Sequence, residues 1–104
     1  MEVYYYGRRH RTHAVGEYNT EDGSLIVKKG SVVSESVAEF AKKNLVINLR
    51  KQYTNNDGIV IEDVKFNSPS SAAAFVAGYS VNGLTAWHVK KCFSLKKYLE
   101  ESKN

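Results

Sequence analysis

One proline and one cysteine occur in the 104 residues, and each scarcity excludes something. A lone cysteine, Cys92, rules out an internal disulfide, which points to a reducing, cytoplasmic setting. No charged-then-apolar leader and no apolar run longer than about eighteen residues is found, so neither export nor membrane insertion is expected. With a single proline and seven glycines, the composition is neither disordered nor fibrous. No Gly-rich phosphate loop or Walker lysine is present, and no cofactor is expected. What remains is ordinary for a globular chain: 42% hydrophobic and 25% charged residues, enough for a single domain over residues 1–104 with one modest core. Fifteen Lys and Arg against eleven Asp and Glu leave a net charge of +4. That excess permits an anionic partner without reaching the charge of a dedicated nucleic-acid binder.

The pattern predicts a β-hairpin from Thr12 to Val33, in which "THAVGEY" and "SLIVKKGS" flank the turn residues "NTEDG". Tyr4, Tyr5 and Tyr6 extend a strand upstream. A capping box at Ser36 and Glu39, followed by Val37, Ala41, Leu45 and Leu49 at every fourth position, predicts a helix from Val37 to Tyr53. "NNDG" at 55–58 stops it, and "IVIEDVKF" has the branched composition of a strand. The only proline lies in "FNSPSSAAAF", where Ser68 suits an N-cap and Pro69 the first helical position. Ala72, Ala73 and Ala74 keep that helix thin, and Gly78 suits its left-handed end. "VNG" at 81–83 is read as a turn into a strand "LTAWHV", with Ser94 capping a terminal helix. The order ββαβαβα predicts an α+β fold, a small mixed or antiparallel sheet with two to three helices packed on it.

"LIVKKGS", "LRKQ", "DGIV" and "FNSPSSAAAFVAGYSVNGLTAW" follow the order and approximate spacing of a bacterial and archaeal family, domain of unknown function 4357, whose hallmarks are LKGS and SPSAA. The resemblance covers nearly the whole chain. Two departures stand out: Lys28 and Lys29 replace a usual Leu-Lys pair, and Leu84 follows "NG" where tryptophan is common. No activity is established for the family. Proteins similar to this one often sit beside nuclease-type domains or in restriction-like contexts, so the resemblance implies an accessory role and a nuclease or restriction-type partner, by association only.

Arg8, Arg9, His10 and Arg11 form the densest basic run, next to the three tyrosines, with Lys28 and Lys29 expected near the same edge. Phosphate contacts plus aromatic stacking suit a nucleic-acid strand; a solvated, charge-protected strand edge explains the same residues. The N-terminus of the Pro69 helix offers backbone N–H groups beside Ser70 and Ser71 to an anion, though capping alone accounts for Ser68 and Pro69. Trp87 reads as a core residue under that helix, with base stacking as the competing use. His10 and His13, with His88 and Cys92, supply soft ligands without the paired spacing of a zinc site, and no metal is expected. Cys92 lacks an oriented base. Ser94 to Lys97 matches S-x-x-K only by helix capping, and Asp57, Glu62, Asp63, Glu100 and Glu101 form no acid–base pair.

The leading expectation is therefore a non-catalytic module that binds nucleic acid, DNA in particular, through Arg8, Arg9, Arg11, Lys28 and Lys29, with Ser70 and Asn82 adding polar contacts. The alternative is a protein-interaction or self-association module. It would use Phe40 and Ile47, one heptad apart on the first helix, together with the tyrosine-rich edge.

Overall fold

The computed structural model describes residues 1–7 and 12–102. Strand β1 (Glu2–Tyr6) is the centre of the architecture. It pairs on one side with β2 (His13–Tyr18), which leads to β3 (Leu25–Val27) and β4 (Val64–Phe66), and on the other with β5 (Trp87–Lys90) and β6 (Phe93–Ser94). The order β4-β3-β2-β1-β5-β6 makes one six-stranded sheet, antiparallel throughout. Among the described residues four helices accompany it: α1 (Lys43–Tyr53), α2 (Pro69–Ala77), α3 (Gly83–Ala86) and α4 (Leu95–Ser102). The α+β class read from the sequence is the class observed. Among the described residues no helix is long and apolar enough to cross a membrane.

The expected β2–β3 hairpin forms, with Tyr18 opposite Leu25 and Gly16 opposite Val27. Its turn uses Asx chemistry: Asn19 Oδ1 accepts from the Glu21 N–H, Asp22 Oδ1 accepts from the Ser24 N–H, and Gly23 takes a φ of 77°. Alternation along the strands then sorts the side chains. Val3, Tyr5, Ala14, Leu25, Val27 and Trp87 face a core shared with α2 and with Leu95 of α4. Phe66 packs on Phe75 with ring centroids 5.3 Å apart, and Tyr5 meets Trp87 edge-on at 5.8 Å. Gly16 is buried beneath them; a Cβ there would come within 2.8 Å of the Leu25 side chain and 3.3 Å of the Trp87 ring.

Helix α2 follows its sequence signals closely. Ser68 Oγ accepts from the Ser71 N–H at 3.2 Å, Pro69 opens the helix, and Gly78 closes it at φ 83°. Residues Ala72 to Ala77 are all buried, as a run apolar on every side of a helix requires. The Trp87 indole N–H donates to the Pro69 carbonyl at 3.1 Å, which fixes the tryptophan as core and removes it as a stacking platform. At the C-terminus, Ser94 Oγ accepts from the Lys97 N–H, the cap expected for α4.

Four expectations need correction. Helix α1 begins at Lys43 rather than Val37, without a side-chain cap. The Ser34 N–H donates to the Val76 carbonyl and the Ala38 N–H to the Gly78 carbonyl, so this stretch is tied to the end of α2 and the capping box at Ser36 does not form. The buried stripe shifts with it: Val46 is buried, Leu49 and Tyr53 pack on the core, and Leu45 is 55% exposed. Phe40 consequently lies in the turn before α1, its carbonyl accepting from the Lys43 N–H, and shares no helical face with Ile47.

"LTAWHV" is likewise not one strand. Asn82 Oδ1 accepts from the Leu84 N–H and caps the single turn α3, so β5 starts only at Trp87. Gly83 is pressed against α2, where a Cβ would lie 2.2 Å from the Pro69 carbonyl carbon; only glycine permits that approach. "IVIEDVKF" contributes a strand only from Val64, preceded by single bridges that join Ile59 to Val32 and Val60 to Thr54. Strand β6, reached through Cys92 at φ 64°, has no counterpart in the sequence reading.

Candidate functional site

The sequence Val3-Tyr4-Tyr5-Tyr6 alternates between two environments because strand side chains alternate. Val3 and Tyr5 enter the core; Tyr4 is half-buried and Tyr6 is 54% exposed on the opposite face. Pairing fills out that outer face. Tyr4 stands opposite Val15 and His88, Tyr6 opposite His13, and Lys65, Ile26, Glu17 and Glu2 form the neighbouring row across four strands. The described helices that touch the core residues pack from the inner side, and the outer-face residues keep solvent exposure.

The aromatic rings on this face are in contact. Tyr4 and Tyr6 have centroids 6.3 Å apart and planes within 23°, and Tyr6 meets His88 at 5.7 Å. His88 Nδ1 lies 3.0 Å from the Ala86 carbonyl, which can only accept, so Nδ1 carries the proton and the ring is held in place. The Tyr4 hydroxyl donates to the Glu2 carboxylate, which raises the Tyr4 pKa above its ordinary value. Sequence reading considered His88 only in company with Cys92 and did not place it beside the tyrosines; that position depends on β5 adding to β1, which only the long-range pairing reveals.

The two acidic residues of the face lie toward one end, in the row that also holds Lys65. Glu2 and Glu17 occupy the end near Met1, where the N-terminal ammonium donates to Glu17 at 2.7 Å and lowers its pKa. At the opposite end the Gly7 N–H donates to the Thr12 carbonyl at 2.9 Å. Arg8, Arg9, His10 and Arg11 fall between those two residues in the chain and lie outside the described residues.

Lys28 and Lys29 sit just past β3, not within it. The Lys28 N–H donates to the Val15 carbonyl, placing Lys28 in the same cross-strand row as Val15, Tyr4 and His88. Asp63 engages both lysines: its carboxylate accepts from the Lys29 N–H at 2.8 Å and lies 3.5 Å from Lys28 Nζ. Those contacts, the backbone N–H foremost, lower the Asp63 pKa.

Ser70 and Asn82 come together elsewhere. Ser70 Oγ accepts from the Gly83 N–H at 3.0 Å, and Asn82 caps α3 immediately before it. Both polar groups are used in joining α2 to α3. No hydrogen bond links them to the lysines, and the chain reaches Ser70 from Phe66, opposite Leu25, at the other end of β3 from Lys28.

A second polar feature was not singled out in the sequence. Arg50 of α1 donates from Nε and Nη2 to the Phe75 carbonyl, from Nη1 to the Ser34 carbonyl, and from Nη2 also to Ser34 Oγ and the Val76 carbonyl, at 2.8 to 3.2 Å. Burial lowers its pKa to about 10, and it remains charged near neutrality, a cation at the C-terminal carbonyls of α2. It borders an open groove of about 970 Å³ lined also by His13, Glu35, Asn55 and Asp57. With its donors directed to those acceptors, Arg50 joins α1 to α2.

Among the described residues no three His, Cys, Asp or Glu side chains gather to hold a metal ion. No curated protein and no solved structure matches the chain. The family comparison does find a match, to the model described as Domain of unknown function (DUF4357), over residues 4–99. The chain belongs to that family.

Proposed function

We propose that the protein is a non-catalytic accessory module that binds nucleic acid, DNA in the first instance, across the open face of its sheet. The observation carrying this reading is the row Lys28, Val15, Tyr4 and His88, flanked by Tyr6: cationic at one end, aromatic at the other, and left uncovered by the helices. Arg8, Arg9 and Arg11, which fall between Gly7 and Thr12 in the sequence, bring further positive charge to the chain. Cations supply salt-sensitive affinity for phosphates, and rings supply surface for bases. Ser70 and Asn82 have a structural use at the α2–α3 junction and are left out of the proposed surface.

A binding rather than catalytic role is supported by the spread of the carboxylates. Asp63 is held by the lysines and Asp57 belongs to the turn after α1, where its N–H donates to Asn55 Oδ1. In keeping with the associations of similar proteins, the expected partner is a nuclease or restriction-type protein.

Fluorescence-anisotropy titration with labelled DNA and RNA, at low and near-physiological salt, tests the reading. Binding should weaken as salt rises. Replacing Arg8, Arg9 and Arg11 together with Ala should flatten the dependence of log affinity on log salt by about 2 to 3. No binding even at low salt refutes the proposal and returns the basic run to the role of a solvated strand edge.

A further inference from the structure

We infer that the nucleic acid taken by this face is single-stranded, with unpaired bases lying on the rings of Tyr4 and Tyr6. The inference rests on the nucleic-acid reading above and narrows it to a substrate class.

Two geometric facts carry it. The tyrosine rings are nearly parallel, 23° apart, with centroids 6.3 Å from each other. Bases stacked in a duplex repeat about every 3.4 Å along each strand, roughly half that spacing. Neighbouring bases resting one on each ring must therefore be drawn apart from one another. A flexible single strand opens in this way at small cost, whereas a duplex would first have to unpair and unstack.

The second fact is the shape of the surface. Tyr4, Tyr6 and His88 stand on a sheet, with their strands paired on both sides, so the rings form part of a broad face. A double helix presents phosphates and groove edges, while its base faces are covered by their neighbours. A single strand presents both backbone and base faces, and the outer face offers a complement to each: cations at Lys28 and Lys65, and rings at Tyr4, Tyr6 and His88. Ring stacking is indifferent to base identity, so little sequence preference is expected.

Two acidic residues of this face already have partners. Glu2 is engaged by the Tyr4 hydroxyl and Glu17 by the N-terminal ammonium, at the end away from Gly7 and Thr12. Phosphates should run along the end nearer Lys28, with bases reaching toward the tyrosines.

Titrating the intact chain against a labelled single-stranded oligonucleotide and against the same sequence as a duplex separates the two levels of the argument. The single strand should bind at least tenfold more tightly. Tyr6→Ala should lower single-strand affinity about tenfold while leaving duplex affinity unchanged, and Tyr6→Phe should retain the affinity because the ring remains. Equal affinity for the two forms, or no loss in Tyr6→Ala, overturns the single-strand inference and leaves nucleic-acid binding standing. Absence of binding to either form overturns both. Should Tyr6→Ala fail to fold, the ring-proton shifts of Tyr4 and Tyr6 in the unaltered protein decide: large upfield shifts with the single strand support stacking, and unmoved rings in a saturated complex refute it.

Discussion

Tyr5 and Tyr6 are neighbours in sequence with the same side chain, yet they do opposite work. Tyr5 is buried edge-on against Trp87. Tyr6, one step along the pleat, is more than half exposed beside Tyr4 and His88. The difference is a matter of which sheet face has a helix upon it. The inner face is sealed by α2, whose buried run of alanines allows close packing; among the described residues no helix covers the outer face in this way, and Tyr6 keeps its exposure. An aromatic residue is thus a stability element or a candidate contact according to strand parity.

The sharpest way to break this contrast is from the inner side. Trp87→Ala should cost about 3–5 kcal/mol, a large share of the stability of a domain this size, and Tyr5→Ala should fall in the same range; chemical denaturation of each variant measures it. Arg50→Ala comes next. It leaves the carbonyls of Ser34, Phe75 and Val76 without their charged donor, for an expected loss of about 3 kcal/mol. Arg50→Lys should recover only part of this, since an ammonium cannot reproduce the planar fork.

Ser68→Ala should cost about 1 kcal/mol, the usual value of an N-cap, by the same denaturation assay. A pH experiment probes the rim of the open face. Because Asp63 has a native pKa below its ordinary 3.8, its stabilising contribution is complete above that value and is lost as pH falls through the lower native one. The stability difference between Asp63→Asn and the unaltered chain should therefore shrink on acidification over that window. Smallest of all, Tyr6→Ala should shift unfolding stability by no more than about 0.5 kcal/mol, in contrast to Tyr5→Ala; a large loss there would mean that the outer face is structural after all.

How far these features were legible in the sequence depended on whether their causes were local. Ser68, Pro69 and Gly78 specify the ends of α2 through their own backbone and side-chain chemistry, and the structure keeps all three. The start of α1 depends on remote partners: hydrogen bonds from Ser34 and Ala38 to the end of α2 override the signal at Ser36 and Glu39. "NG" was ambiguous for a similar reason. The same dipeptide serves a hairpin or a cap, and the close approach of Gly83 to Pro69 selects the cap. At the candidate site, the tyrosines were visible in one stretch of sequence, whereas His88 joins them only because β5 pairs with β1 from the far end of the chain.

Three successive tyrosines also pose a problem of alignment. Slipping β1 by one residue against β2 would exchange Tyr5 for Tyr4 or Tyr6 in the core with hardly any change in side-chain chemistry, so the tyrosines by themselves identify the correct pairing poorly. Glu2 and Val3 supply the missing information. In the observed register Val3 is buried in the core and Glu2 lies exposed on the outer face, and a slip of one residue would carry the carboxylate inward and the valine out to solvent. The two residues ahead of the tyrosines thus decide which tyrosine belongs inside.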